Sequence, residues 1–424
     1  MQQEMTALTC EWLAQIGQVN TGDIVKLQRI LEPLFRKAGY REQGEVQNIL
    51  LLRFDAIGDM VITSAFIREV RRSYPRAFIT MVCRPLTKPL LEYCPYVNEV
   101  LSLETADMLA DFPAWGRRLL ELCQVHLWQH HYDLCLCPQW GGGKFDAMIA
   151  AYMSGSCRRY AYSSGVPLVY LDDELDLTVE NTLLTKAVYN PPEIVAEVER
   201  NLYLLQAVGG RIEDERLEGW YGAEDAFRAE GWLASEREKG KFIIAMGIGA
   251  SDDTHKYPVA KWQKAMEQLA QGHNLCFALL GGAEDRTAGR YLKENCTSAM
   301  IVDLTGKTTL REAAAVLAQA DLFLGNDSGM MHLATAVQAP VVVCYREAMD
   351  KEYPHPGYYS ECARFVPWSE QAIMLRPDHA VGSCRDVLIY GGCKENFAHC
   401  IAEITPTEIT AAVELAMAKW GRRK

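Results

Sequence analysis

Gly325-Asn326-Asp327-Ser328-Gly329-Met330-Met331-His332-Leu333-Ala334-Thr335 follows Asp321-Leu322-Phe323-Leu324, an apolar run with the length of a buried strand. Residues 330–337 have helical spacing, and Pro340-Val341-Val342-Val343-Cys344-Tyr345 is the next strand. The order strand, tight turn, helix, strand predicts a parallel α/β sheet. Asp327, Ser328 and Gly329 fall on the turn. Backbone N–H groups at a helix start lack intrahelical partners and attract a phosphate or diphosphate. Ser328 and His332 are four residues apart and share one helix face beside that anion. The same Asp and Ser would also serve as an ordinary helix N-cap.

The amino-terminal half carries a matching unit. Asn48-Ile49-Leu50-Leu51-Leu52-Arg53-Phe54 reads as a strand and Asp55-Ala56-Ile57-Gly58-Asp59 as a turn. Residues 60–73 have helical spacing, Pro75 stops them, and Ala77-Phe78-Ile79-Thr80-Met81-Val82 is a second strand. Ligands in such sheets bind beyond the carboxyl ends of the strands, so Asp59 stands where chemistry would occur. A carboxylate there also stabilises the helix dipole, and the two roles are compatible.

Two further stretches lie between these: Gly249-Ala250-Ser251, four residues, then Lys256-Tyr257-Pro258; and Leu280-Gly281-Gly282-Ala283-Glu284-Asp285. The four in this order resemble glycosyltransferase family 9, the heptosyltransferases. Arg53-(four residues)-Gly58-Asp59-(three)-Thr63 matches its amino-terminal signature, and Asp327-Ser328-Gly329-(two)-His332-Leu333-Ala334 its carboxy-terminal one. The middle stretches look like its two donor loops. The resemblance runs from about Asn48 to the end of the chain. It implies a GT-B fold: two Rossmann-like domains facing across a cleft.

The resemblance also implies an activity. A sugar would pass with inversion from a nucleotide diphosphate, most naturally ADP-heptose, to a hydroxyl of a lipopolysaccharide core. Asp59 would take the acceptor proton. Gly249, Ser251, Lys256 and the helix start at Asp327-Ser328-Gly329, with His332, would hold the donor and its leaving diphosphate. Asp285 or Glu284 would take the ribose hydroxyls, as acidic residues after a strand do in such domains. Arg53, Gly58 and Thr63 fall on the acceptor side. Arg68, Arg71, Arg72, Arg76, Arg158 and Arg159 are candidates for an anionic acceptor, or solvated surface.

No Asp-x-Asp pair sits at a strand end; Asp172-Asp173 and Asp252-Asp253 are adjacent pairs in loops. Neither a catalytic metal nor a cofactor is expected beyond the nucleotide sugar. A protein acceptor of the autotransporter type, another nucleotide sugar, and a non-catalytic nucleotide-sugar-binding module remain alternatives. A dinucleotide-dependent oxidoreductase is not favoured: the turn after the first strand lacks G-x-G-x-x-G, and Gly141-Gly142-Gly143-Lys144 is not a Walker motif.

Composition agrees. At 424 residues, 49% hydrophobic and 23% charged, the chain suits a large enzyme of several domains. A net charge of −12 leaves no general nucleic-acid footprint. No run of eighteen apolar residues predicts a membrane span. The first residues, Met1-Gln2-Gln3-Glu4, carry no basic region of a secretory signal. A cytoplasmic enzyme is expected, with peripheral contact at the inner membrane left open.

Residues 1–46 form a helical extension, in which 23–37 is amphipathic and Pro33 would kink or split the helix. Packing on the first domain is the plainest role for it; oligomerisation and membrane contact are the others. The first Rossmann-like domain is expected over 47–235 and the second over 236–405. The helix of 406–424 would return to the first domain. Fourteen cysteines in a cytoplasmic chain read as thiols. Cys384, Cys393 and Cys400, with His399 beside the last and Cys362 upstream, lack a CxxC pair. Reduced structural thiols are the expectation there and a metal the lesser alternative.

Overall fold

The computed structural model describes residues 2–15, 21–37, 45–140, 145–163, 181–353, 356–387 and 395–421. Two compact units emerge. One holds Met1–Ala56, Ala65–Ile194 and Val198–Glu215; the other holds Ile57–Ser64, Val195–Glu197 and Arg216–Lys424.

The first unit is built on six parallel strands: β1 (Asn48–Arg53), β2 (Phe78–Cys83), β3 (Glu99–Ser102), β4 (Leu134–Cys137), β5 (Arg158–Tyr162) and β6 (Lys186–Val188). Their order is β3-β2-β1-β4-β5-β6, with Leu50 paired to Thr80 on one side and Cys135 on the other. Strands buried on both faces read as continuous apolar runs, and Ile49, Leu50, Leu51 and Leu52 are wholly buried. The helical extension packs here. Met5, Trp12, Leu27 and Leu31 join the core cluster that holds Trp115 and Leu119. Trp12 donates its indole N–H to the Asp23 carbonyl at 3.0 Å and meets Phe112 edge-on. Pro33 neither ends nor splits its helix, which runs Thr21–Lys37.

The second unit repeats the plan with β7 (Phe242–Gly247), β8 (Leu275–Leu280), β9 (Met300–Asp303), β10 (Leu322–Asn326), β11 (Val341–Cys344) and β12 (Ala372–Leu375), ordered β12-β11-β10-β7-β8-β9. In both sheets the third, second, first, fourth, fifth and sixth strands lie side by side, the doubly wound order. Both place the topological switch point between the first and fourth strands. The class is α/β with two Rossmann-like sheets, as the sequence implied.

Three expectations change. The boundary lies near Glu215 rather than residue 235, because the helix Ala223–Glu238 packs with the helix Leu310–Gln319 of the second unit through the pairs Arg228–Glu312 and Arg311–Asp225. The last helix, Pro406–Trp420, stays in the second unit. Its Ile409, Ala412, Val413 and Ala416 complete the core around Trp262 and Leu269. The helix expected over 60–73 is two, Ile57–Ile62 and Ser64–Ser73, broken at Thr63. Thr63 donates its hydroxyl to the Asp59 carbonyl at 2.7 Å. A Thr bonded to the turn behind it commonly bends a helix.

Candidate functional site

The switch point of the second unit collects the donor motifs. Gly325 in β10 pairs with Gly247 in β7, so the loops leaving these strands start side by side. Asn326, wholly buried at the end of β10, ties them together. Its side-chain oxygen accepts from the Tyr257 N–H at 3.0 Å, and its amide donates to the Ile248 carbonyl at 3.0 Å. The loop after β7 turns through Asp253–His255, with Asp252 accepting from the Thr254 N–H.

Lys256, Glu284 and Asp285 converge on one pocket of about 540 Å³, whose other walls include Tyr291, Asn396 and Phe397. Ser251 is exposed on the same loop. Lys256 Nζ lies 2.8 Å from Asp253 Oδ1, and this hydrogen bond raises the ammonium pKa. Asp285 receives the Gly282 N–H at 2.9 Å, while burial raises its carboxyl. A Cβ on Gly249 would come within 2.1 Å of Asp285 Oδ2, and one on Gly281 within 2.6 Å. A side chain at either position would have to displace that carboxylate.

The helix Gly329–Ala336 starts directly after β10, with Ser328 as its N-cap residue. Seated against it is the short helix Ile57–Ile62, which carries Gly58 and Asp59 and belongs to the same unit. A Cβ on Gly58 would meet His332 Cδ2 at 3.0 Å and Gly329 Cα at 3.5 Å; one on Gly329 would meet Ile57 Cγ2 at 2.8 Å. The two signatures, some 270 residues apart in sequence, thus touch through glycine, and Asp59 stands half-buried in the first turn of its helix. His332 is 3% exposed, and burial lowers its pKa to about 4, so the ring is neutral near pH 7. Among the described residues its Nδ1 and the Ser328 hydroxyl have no hydrogen-bond partner.

An ionic cluster flanks Asp327. Arg346 grips Glu361 with two bonds, of 2.9 and 2.5 Å, and also donates to Thr254. His255 lies 3.8 Å from Asp327 and 3.9 Å from Glu361. Burial, with Glu361 adding, pushes the Asp327 carboxyl well above its ordinary value. Burial would also raise Glu361, yet the Arg346 hydrogen bond leaves it lowered. The sequence reading passed over Asn326, Arg346 and Glu361. Arg346 stands two residues beyond β11, and that position at a strand's carboxyl end was the available signal.

Other candidates fall elsewhere. Arg53, at the end of β1, is 1% exposed and bonds Asp55 at 2.8 Å and Asn201 at 3.0 Å within the first unit. The arginines weighed for an anionic acceptor also have partners inside that unit. Arg68 holds Glu69 and Asp214, Arg71 the carbonyls of Tyr96 and Ala77, Arg72 Glu69, Arg76 Glu45, Arg158 the Asp133 carbonyl and Arg159 the Leu183 carbonyl. Gly141 to Lys144, Asp172, Asp173 and Cys393 lie outside the described residues. Spacing gave no metal pattern in the carboxy-terminal cysteines, yet folding brings Cys384, His399 and Cys400 together, with donor atoms within 4.8 Å of one another.

Residues 180–386 match the model of glycosyltransferase family 9 (heptosyltransferase). Lipooligosaccharide heptosyltransferase 2 of Haemophilus influenzae is 23% identical over 70% of this chain and 83% of its own length. Lipopolysaccharide heptosyltransferase 2 of Escherichia coli is 23% identical over 75% and 88%. The chain is thus similar to glycosyltransferase family 9 over about half of its length. Solved folds agree. The crystal structure of a family 9 glycosyl transferase from Veillonella parvula superposes with a TM-score of 0.71 at 17% identity, covering 89% of this chain and 99% of that one. E. coli ADP-heptose lps heptosyltransferase II does so at 0.64 and 19%, covering 88% and 99%. The glycosyltransferase fold is thus the GT-B class to which those enzymes belong. No helix among its described residues is long and apolar enough to cross a membrane.

Proposed function

We propose that this glycosyltransferase moves heptose from ADP-heptose to a hydroxyl of a lipopolysaccharide core, with inversion and without a catalytic metal. The observation that carries the reading is the seating of the Gly58-Asp59 helix against Gly329 and His332. It sets a carboxylate beside a helix start suited to a diphosphate. The relatives support the substrate: two are named for heptose transfer to lipooligosaccharide or lipopolysaccharide. The E. coli heptosyltransferase WaaC, of the same fold at a TM-score of 0.61, was solved with ADP-2-deoxy-2-fluoro heptose.

The chemistry follows from the residues. Asp59 accepts the proton of the acceptor hydroxyl as its oxygen bonds to the anomeric carbon. The bond from that carbon to the diphosphate oxygen breaks on the opposite face, and the configuration inverts. Negative charge grows on the leaving ADP. Lys256 and the first N–H groups of the helix Gly329–Ala336 offset it. Ser328 and neutral His332 offer an uncharged donor and acceptor beside the sugar. Glu284 and Asp285 take the ribose hydroxyls, and the pocket edged by Tyr291 and Phe397 takes the base. The enzyme would work in the cytoplasm, where ADP-sugars are at hand, on acceptors held at the inner membrane.

The test is mass spectrometry of products from a panel of nucleotide sugars, with rough-core oligosaccharide as acceptor. A gain of one heptose from ADP-heptose alone is expected. Transfer only to a protein, or only from a UDP- or GDP-sugar, would replace this reading with one of its alternatives.

A further inference from the structure

The loop after β7 brings Lys256 to the pocket, and side chains from two other strand ends hold that loop. Asn326, at the end of β10, fixes the residue after Lys256 through the Tyr257 N–H. Arg346 holds the residues before it. Arg346 stands two residues beyond β11 and is 5% exposed. Its Nε and one terminal nitrogen bond the two oxygens of Glu361 at 2.9 and 2.5 Å. Its other terminal nitrogen donates to the Thr254 hydroxyl and lies 3.9 Å from Asp252. A guanidinium is a flat fork with fixed donor directions. Two bonds to one carboxylate set its plane, and the plane sets where the third donor points.

Thr254 is the middle residue of the turn Asp253–His255. Asp252 Oδ1 accepts from its N–H at 2.7 Å and from its hydroxyl at 2.8 Å. The hydroxyl therefore donates to Asp252 and accepts from Arg346. The turn closes on Lys256, whose N–H bonds the Asp253 carbonyl at 3.2 Å. Lys256 is thus bracketed, with Thr254 anchored two residues before it and Tyr257 one residue after. His255, between Thr254 and Lys256, lies 3.8 Å from Asp327, the neighbour of Ser328. The turn that carries the ammonium is in this way fitted to the helix start that offers N–H groups.

We propose that Arg346, oriented by Glu361, is a positioning residue: through Thr254 it fixes the donor loop so that Lys256 meets the diphosphate of the nucleotide. An ion pair drawn out of water gains little net stability, because desolvation offsets its attraction. What the Arg346–Glu361 pair supplies is direction. Two contacts on one diphosphate need a set separation, and a loop free to move loses part of their joint binding to ordering entropy. The proposal rests on the reading of Lys256 as the cation of the diphosphate.

The experiment is calorimetric titration of ADP into full-length wild type, Arg346→Lys, Thr254→Val, Lys256→Ala, and Thr254→Val combined with Lys256→Ala. Arg346→Lys keeps the charge and loses the fork. Thr254→Val keeps the shape and loses the hydroxyl, and it decides alone where Arg346→Lys does not fold. Each should weaken ADP about tenfold. In the Lys256→Ala background Thr254→Val should add nothing, because the group it positions is gone. Arg228→Lys, at the pair with Glu312, should bind as wild type does. A merely structural role lowers the number of sites per chain and leaves the dissociation constant of the folded remainder unchanged; that result overturns the proposal. So does additive loss in the double variant. Either folded single variant binding as tightly as wild type, while Lys256→Ala is weak, overturns the positioning role and leaves the nucleotide reading standing. A Lys256→Ala protein as tight as wild type overturns the reading of Lys256 and the positioning role with it.

Discussion

At the residue scale, three side chains give distinct readouts. Asp59→Asn keeps shape and removes the base. Turnover should fall about 10²–10⁴-fold, the usual worth of a positioned general base, while ADP affinity stays near wild type. Wild-type turnover in the variant would take Asp59 out of the mechanism. His332 and Asp146 titrate in opposite senses. Burial holds folded His332 at about 4, below its unfolded value, so the unfolded chain binds more protons between the two. The stability this neutral ring contributes is present above about pH 6.5 and is lost as pH falls towards 4, a change of roughly 3 kcal/mol. His332→Gln should flatten that part of a melting-temperature profile. Asp146 is 5% exposed and accepts from the Ala147 N–H, yet burial raises its folded pKa to about 7. Here the folded chain binds more protons, so stability is full below about pH 4 and is lost as pH rises through about 7. Asp146→Asn, which keeps the acceptor oxygen, should melt higher than wild type at pH 8, by an amount that shrinks towards pH 4. A gap that does not change with pH would mean that this carboxyl does not titrate as described.

At the element scale, the strands and the turns after them were legible, because doubly buried strands are continuous apolar runs and strand-to-helix turns announce themselves by glycine and Asp. The strand read at 48–54 is β1, Asn48–Arg53. What the sequence could not disclose is which elements touch. Nothing local says that the helix Ala223–Glu238 packs forward into the second unit, or that the last helix does not cross back; both depend on complementary faces far along the chain. The cysteine cluster was hidden for the same reason, since its donors converge through two turns rather than one CxxC loop. Asn326 stands within a motif, yet its pinning of the β7 loop depends on chain 78 residues away. Asn326→Ala leaves the buried Tyr257 N–H and Ile248 carbonyl without their bonds. The penalty is roughly 1–3 kcal/mol for each group. The melting temperature should drop clearly, and ADP binding should weaken in the protein that remains folded. A variant as stable as wild type would show that water satisfies both groups.

At the scale of the whole molecule, the two sheets share one strand order, but the donor motifs sit on one of them. A chain of net charge −12 does not draw in a dianionic diphosphate by its overall field. Local charge must do so, and among the motif residues Lys256 is the cation that lines the pocket. Its present partner, Asp253, is 68% exposed, and so open an ion pair is worth little and exchanges readily for a phosphate. Losing a charge-assisted contact costs roughly 1.5–3 kcal/mol, or about ten- to a hundredfold in affinity. Calorimetric titration of ADP, GDP and UDP into wild type, Lys256→Ala and Asp253→Asn checks this, each with and without added magnesium. ADP should bind best, and magnesium should change little. Lys256→Ala should weaken every diphosphate, whereas Asp253→Asn should leave binding equal or tighter because it frees the ammonium. Raising the salt should weaken wild type more than Lys256→Ala, since screening acts on the charge that the variant has already lost. Binding that needs magnesium, or a Lys256→Ala protein as tight as wild type, would move the diphosphate away from this pocket and leave the helix start at Gly329 to hold it alone.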